Sequence, residues 1–318
     1  MRKLNRREFI GLTAAVAGAC AADEAFVKGK VAPKADGGGA TSFSIDSSIK
    51  SPTSRVSLGR SGLKVSLVGI GTGTIGYAHQ SRQTQLGQEA FTQLIRHSLD
   101  QGINFFDLAD AYGSHSFFGK AVKGVPRELY VVQTKTDNRD PQDARQDIDR
   151  FLNEMGTDYI DSLIIHCVTE GDWTTRFRGV MDVFAEAKRK GKIRSCGVTC
   201  HSFKALKAAE ASDWVQINQV RWNPRGAHMD ADVEEVRALF RRMRRKGQGM
   251  IGMKVVGQGD IVGHARALSP EDCFRFQIES GVVDAFVVGV ESVGHIDQLL
   301  HGTQVALNDL GYRRIVSA

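Results

Sequence analysis

Beyond residue 54 the chain alternates short, continuously apolar runs with longer stretches whose apolar residues recur every three or four positions. The runs are Val65–Ile70, Ile103–Phe106, Leu129–Thr134, Tyr159–Ile165, Ile193–Val198, Val215–Val220, Met250–Met253 and Ala285–Val288. They lack the strict alternation of a strand with one wet face, so they predict eight parallel strands covered on both sides. Between them, Gln88–Gln101 puts Phe91, Leu94, Ile95 and Leu99 on one helical face, and Asp143–Met155 does the same with Ile148, Leu152 and Met155. Val180–Lys190 stops at Gly191, a residue suited to a left-handed helix cap. Asp232–Lys246 carries Val233, Val236, Phe240 and Met243 on one stripe, with an arginine-rich solvated face opposite. Ser269-Pro270 opens a further helix with an N-cap serine and a proline in the first turn. Eight such β/α repeats without a break in composition predict an α/β fold, a single-domain (β/α)₈ TIM barrel over residues 54–318. A doubly wound open sheet shows the same alternation and is the alternative.

The first residues follow another pattern. "MRKLNRREFIGLTAAVAGACAADEA" has a basic head, the pair Arg6-Arg7, Phe9 and a mild apolar run from Ile10 to Ala22. That predicts a twin-arginine (Tat) signal peptide over residues 1–21, too short in its apolar core to span a bilayer, and hence export to the periplasm. Ala17-Gly18-Ala19 before Cys20 also allows a lipid anchor at that cysteine, although the box lacks its usual leucine. Residues 22–53 are rich in Gly, Ser, Lys and Ala and read as a flexible linker. Half of the formal charge of +6 lies in the first 19 residues, so the basic balance does not point to nucleic acid. The remaining cysteines, Cys167, Cys196, Cys200 and Cys273, do not form a disulfide framework.

Gly71-Thr72-Gly73-Thr74-Ile75-Gly76 matches the G-x-G-x-x-G pattern of a dinucleotide-binding turn. In that turn the third glycine opens a helix directly. Here Gly76 is followed by "YAHQSRQTQLG", eleven residues without apolar periodicity, so the stretch reads instead as the end of a barrel strand and its loop.

Titratable residues end three of the apolar runs: Asp107 after "GINFF", Lys135 after "LYVVQT" and His166 after "YIDSLII". They are separated by 28 and 31 residues, one β/α unit each. In a barrel such ends meet on one face, where the loops build active sites. A buried lysine needs a partner, which predicts an Asp107–Lys135 pair. Tyr112 lies five residues past Asp107 in the loop leaving that strand. An ammonium beside a phenol favours its ionised form, so Lys135 is expected to lower the Tyr112 pKa. The roles that follow are Tyr112 as proton donor to a carbonyl oxygen, Lys135 as its tuner, Asp107 as the partner of Lys135, and His166 as the carbonyl's orienting group. A hydride source is still needed, which implies a nicotinamide cofactor.

With those residues in place, the chain resembles the aldo-keto reductase family. "GINFFDLADAYG" resembles its Asp/Tyr signature, "VVQTK" its lysine strand, "MGTDYIDSLIIHC" its histidine strand, and "GKIRSCGVT", "VQINQVRWNP" and "GMIGMK" its next three strands. The resemblance implies a barrel that binds NADP, or NAD, across its C-terminal mouth and reduces an aldehyde, ketone or sugar with the tetrad Asp107, Tyr112, Lys135 and His166. It places Gly71, Thr72, Gly73 and Asp107 near the nucleotide. Thr199, Cys200 and Gln219 fall at its nicotinamide amide, Met253 and Lys254 where a ring-stacking aromatic usually stands, and Gly289 and Ser292 along the dinucleotide. His115 replaces a glutamate of the signature. Glu291 stands where a basic or small residue meets the adenosine 2′-phosphate, and no arginine is near it in the sequence. Phe117, Trp173 and Trp222 fall on or near loops above the mouth and are candidates for lining a substrate pocket. Folded export would suit an enzyme that retains its nucleotide.

Two other readings remain. One is a non-enzymatic, redox-sensing NADP-binding subunit on the same barrel. The other is a zinc site made from His166-Cys167 and Cys200-His201. It is disfavoured because neighbours on a regular strand point to opposite faces, and no metal is expected.

Overall fold

The computed structural model describes residues 48–262 and 267–316. The signal-peptide segment, Cys20 and most of the linker lie outside the described residues. A hairpin of β1 (Arg55–Ser57) and β2 (Lys64–Ser66) precedes eight barrel strands: β3 (Val68–Gly71), β4 (Phe105–Asp107), β5 (Val131–Thr136), β6 (Ile160–Val168), β7 (Ile193–Cys200), β8 (Ile217–Arg221), β9 (Gly249–Met253) and β10 (Ala285–Gly289). Every neighbouring pair in the ring is parallel, and β10 pairs with β3 to close it. The (β/α)₈ barrel expected from the apolar runs is therefore what forms, and the open-sheet alternative is excluded.

The helices are α1 (Arg82–Gln85), α2 (Gln88–Asp100), α3 (His115–Ala121), α4 (Pro141–Met155), α5 (Trp173–Arg176), α6 (Arg178–Arg189), α7 (Phe203–Ala211), α8 (Val233–Arg245), α9 (Pro270–Ser280) and α10 (Val293–Val316). Their boundaries follow local chemistry. Asp140 caps α4 by accepting from the Gln142 and Asp143 amides, and Pro141 occupies its first turn. Ser269 and Asp272 form a reciprocal capping box on α9. In α8 the buried residues are Val236, Leu239, Phe240 and Met243; of the stripe anticipated from the sequence Val233 is only half-buried and Leu239 takes its place, while Arg241, Arg242 and Arg245 face outward.

The expected first run, Val65–Ile70, is split. Ser66 turns the chain: its amide donates to Asn104 Oδ1 at 2.7 Å and its hydroxyl donates to the Val68 carbonyl at 2.6 Å. The hairpin before it covers the N-terminal end of the barrel, where the Arg60 amide donates to the Gly247 carbonyl at 2.7 Å. Residues 48–53, assigned to the linker on composition, instead pack on the barrel. Pro52 is buried and its carbonyl accepts from the Val68 amide at 3.1 Å.

At the same N-terminal end β6 carries a buried carboxylate. Asp161 accepts from Arg127 at 2.6 Å, from Arg194 at 2.8 Å and from the Val132 amide at 2.9 Å. Three donors from three elements offset its desolvation. Asp161→Ala should lower unfolding free energy by about 3 kcal/mol in urea denaturation, with nucleotide binding at the far end unchanged. A loss below about 1 kcal/mol would show that this cluster contributes little.

Candidate active site

Asp107 ends β4 and is almost wholly buried, as is Lys135 in β5. Lys135 Nζ donates to Asp107 Oδ1 at 2.7 Å and to the Leu108 carbonyl at 2.8 Å. The carboxylate also accepts from Gln133 Nε2 at 2.9 Å and from Gln219 Nε2, across the barrel on β8, at 2.9 Å. Gln133 and Lys135 share one face of β5 by the two-residue period, and Asp137 follows in the same phase. That period is the sequence signal that would have added Gln133 and Asp137 to the site. Burial lowers the Lys135 pKa, and Asp107 opposes that change without reversing it.

Tyr112 ends a single 3₁₀ turn, Asp110–Tyr112. Lys135 Nζ lies 4.9 Å from its ring centroid and the His166 ring stands edge-on at 5.7 Å, so all four expected catalytic residues meet at the C-terminal mouth. Two glycines of the "GTGTIG" stretch fix the phenol. A Cβ on Gly73 would sit 2.2 Å from Tyr112 Cε2, and one on Gly76 would sit 2.3 Å from its Cδ1. The glycines that mimic a dinucleotide turn thus form a cradle for an aromatic ring. Thr72 anchors that loop, donating to the Asp107 carbonyl at 3.0 Å and to Ser114 Oγ at 2.9 Å.

Behind the turn, Arg150 on α4 bonds Asp110 at 2.8 Å, Asp147 at 2.7 Å and Glu154 at 3.1 Å. Buried His115 bridges Thr134 Oγ1 at 2.6 Å and Glu154 at 3.1 Å. His115, standing where the resemblance implies a glutamate, thus reaches a carboxylate of the neighbouring helix.

The expected lowering of the Tyr112 pKa does not occur. Burial first, then the carboxylate of Asp107, raise it well above the ordinary phenol value, with Cys167 and Asp137 adding to the rise. Lys135 faces the ring and is tied to Asp107, so its charge is largely spent there. Tyr112 is thereby held as a neutral acid.

His166 lies beside a break in the strand. Ile165 pairs with Val198 but Val168 pairs with Cys200, so β6 has one residue more than β7 across this interval. Cys167 takes a left-handed backbone with φ 51°, a conformation costing about 1–3 kcal/mol for a residue with a side chain. This bulge cancels the alternation expected of His166 and Cys167, and both reach the mouth. Asp137 Oδ1 pairs with His166 Nδ1 at 2.8 Å. Burial by itself lowers the His166 pKa, but Asp137 and Cys167 outweigh it and the net direction is up. His201, at 3.7 Å from Cys167 Sγ, is pushed down to about 3 by burial and then by Arg221. Cys167 was not among the catalytic candidates, because only the bulge brings its thiol round.

The residues assigned to the nicotinamide amide can be tested for fit. Gln219 Oε1 and Thr199 Oγ1 are buried without a protein hydrogen-bond partner, which fits a polar group arriving from the mouth. Cys200 differs: it is buried among core residues, and burial raises its thiol pKa well above the usual value. Met253 is half-buried at the end of β9, and Lys254 follows with φ 55° and a pKa lowered to about 8, chiefly by burial. Gly71 is buried in β3, and Gly289 is exposed at the end of β10 with Thr74 Oγ1 2.1 Å from where its Cβ would be. Ser292 Oγ accepts from the His295 amide at 3.2 Å, at the start of α10. Arg82 of α1 lies 3.6 Å from Glu291, so the fold brings to that carboxylate an arginine that is distant in sequence.

The three aromatic candidates for a substrate pocket are packing residues. Trp173 is buried and its Nε1 donates to the Ala205 carbonyl at 3.2 Å. Trp222 is buried against Phe240 and Phe276, with Nε1 donating to Ser280 at 3.1 Å. Phe117 packs on Phe91 at 5.5 Å, between α3 and α2. Aromatic side chains near a loop were drawn into the outer helical layer instead of the mouth. Among the described residues, the large apolar side chains exposed next to the Tyr112 cradle are Ile75 and Tyr77.

Residues 68–272 match the model of the Aldo/keto reductase family. An L-galactose dehydrogenase of Arabidopsis thaliana is 31% identical over 153 residues, covering 45% of this chain and 47% of that protein. An aldo-keto reductase of Mycolicibacterium paratuberculosis is 30% identical over 149 residues, 44% of this chain and 51% of its own. The chain thus spans about half the length of these curated relatives. An aldo-keto reductase structure from Bacillus halodurans, in its holo form, superposes with a TM-score of 0.64 at 18% identity over 80% of this chain and 95% of that one. One from Pseudomonas aeruginosa gives 0.66 at 22%, over the same shares. At these identities the solved structures bear on the fold, while the family match covers well over half of the chain. The chain belongs to the aldo/keto reductase family.

Proposed function

We propose that this family oxidoreductase is NAD(P)(H)-dependent and interconverts a carbonyl and an alcohol, with Tyr112 as general acid and base. The observation that carries the reading is the convergence of Lys135, Tyr112 and His166 around the Asp107 carboxylate at one barrel mouth. A bound nicotinamide nucleotide supplies the hydride, and Gln219 and Thr199 offer their unpartnered oxygens to its amide. Tyr112 donates its proton to the carbonyl oxygen, His166 orients that oxygen, and Asp107 with Lys135 keeps the phenol's surroundings fixed. A neutral phenol suits the reductive direction. The likeness to an L-galactose dehydrogenase supports a sugar or sugar-like substrate within the carbonyl class. The N-terminal pattern supports export of the folded protein, with its nucleotide retained; denaturing the exported protein should then release nucleotide detectable by mass.

Of the two nucleotides we propose NADP. Support comes from Arg82, whose guanidinium stands beside Glu291 in the region the family uses for the 2′-phosphate. A carboxylate alone would repel that phosphate, and the arginine offsets it.

Tyr112→Phe should lower carbonyl reduction by about 10²–10⁴-fold in steady-state kinetics while nucleotide binding persists. Equal turnover by both proteins would support the redox-sensing subunit instead. Gly73→Ala should reduce kcat by about a hundredfold through displacement of the Tyr112 ring, with little loss of nucleotide affinity. Because the Tyr112 pKa is raised, the phenol remains protonated through the neutral and mildly alkaline range. Reduction should therefore hold level there, while alcohol oxidation, which needs the deprotonated phenol, climbs as pH rises. Arg82→Ala should shift the NADPH-to-NADH preference towards NADH by about tenfold, and Glu291→Gln should shift it the other way. Unchanged ratios in both variants would remove this pair from nucleotide choice.

A further inference from the structure

Three kinds of metal-ligating side chain converge where β5 and β6 end. One ligand atom each from Asp137, His166 and Cys167 lies within 4.8 Å of the others. His201, following β7, brings Nε2 to 3.7 Å from Cys167 Sγ. His166 is itself only 7% exposed, and its Nδ1 faces Asp137 Oδ1 at 2.8 Å.

The chemistry of this set is selective. A thiolate, a carboxylate and imidazole nitrogens are the mixed donors that zinc accepts at about 2.0–2.3 Å, whereas magnesium and calcium prefer oxygen alone. The carboxylate and thiolate together balance the ion's double charge. Arg139, which donates to the His166 carbonyl, and Arg221 and Lys254 on the His201 side are cations around it. The set also depends on an irregularity: without the extra residue in β6, Cys167 would not share the mouth with His166.

We propose that Asp137, His166 and Cys167 bind a single zinc ion at the mouth of the barrel, with His201, beside the thiol but outside that group, turning in as the fourth ligand. Since His166 is also assigned to the substrate carbonyl, zinc and carbonyl compete for it. That consequence rests on the proposed reaction; the site itself does not.

The test uses the full-length protein, stripped with a chelator and titrated with Zn²⁺ by calorimetry and with Co²⁺ by absorption. One equivalent should bind, with a thiolate-to-cobalt charge-transfer band. Cys167→Ser should abolish the band and weaken zinc binding more than about a hundredfold, and His201→Ala should weaken it at least about tenfold. Thermal melts of the metal-free variants, matched to the parent, establish that the loss is local. Absence of stoichiometric binding, or equal affinity and an intact band in Cys167→Ser, would overturn the site. These readouts involve neither nucleotide nor turnover, so they separate failure of the metal site from failure of the reductase reading. Zinc-loaded protein should in turn reduce carbonyls at least about tenfold more slowly, with activity restored by the chelator.

Discussion

A lysine ammonium sealed inside the barrel, away from water, sets the terms for the rest of the mouth. Removing such a charge from water costs several kcal/mol, and only a well-placed countercharge with its own hydrogen bonds offsets it. Asp107 provides the charge, and Gln133 and Gln219 saturate the carboxylate from β5 and β8. Three strands that do not all neighbour one another are thereby held to one point. The barrel supplies the rigidity, and the ion pair selects which ends of its strands can carry chemistry.

Tyr112 is held by a different means. Its turn is short, and its position comes from neighbours on both sides: glycines without side chains in front, and the Arg150, Asp110, Glu154 and His115 network behind. Packing decides where the ring sits, whereas charge decides what its hydroxyl does. The nearby carboxylates and burial keep the proton on, although a cation lies within 5 Å of the ring. Distance to a ring centroid is a poor guide to the field at its oxygen when the cation is already paired.

Much of this was legible in the sequence. Continuous apolar runs located all eight barrel strands, because strands covered on both faces leave little room for polar residues. Asp107, Lys135 and His166 stood out as charges ending such runs, and Ser269-Pro270 announced its helix. The features that were not legible are those that depend on the third dimension. Trp173 and Trp222 sit near loops along the chain, yet the outer helices close over them. Arg82 and Glu291 are far apart in sequence and meet because β3 and β10 close the ring. The inward turn of Cys167 breaks the two-residue period on which strand reading rests, and no glycine marks the spot.

That break has an evolutionary meaning. A bulge of one residue is created or removed by insertion or deletion of a single codon, not by substitution. Deleting one residue between Ile165 and Val168 would let β6 pair evenly with β7 and relieve the left-handed backbone, at the price of the thiol's place beside His166. The thiol's place beside His166 is therefore set by the length of this strand as much as by the identity of its residues.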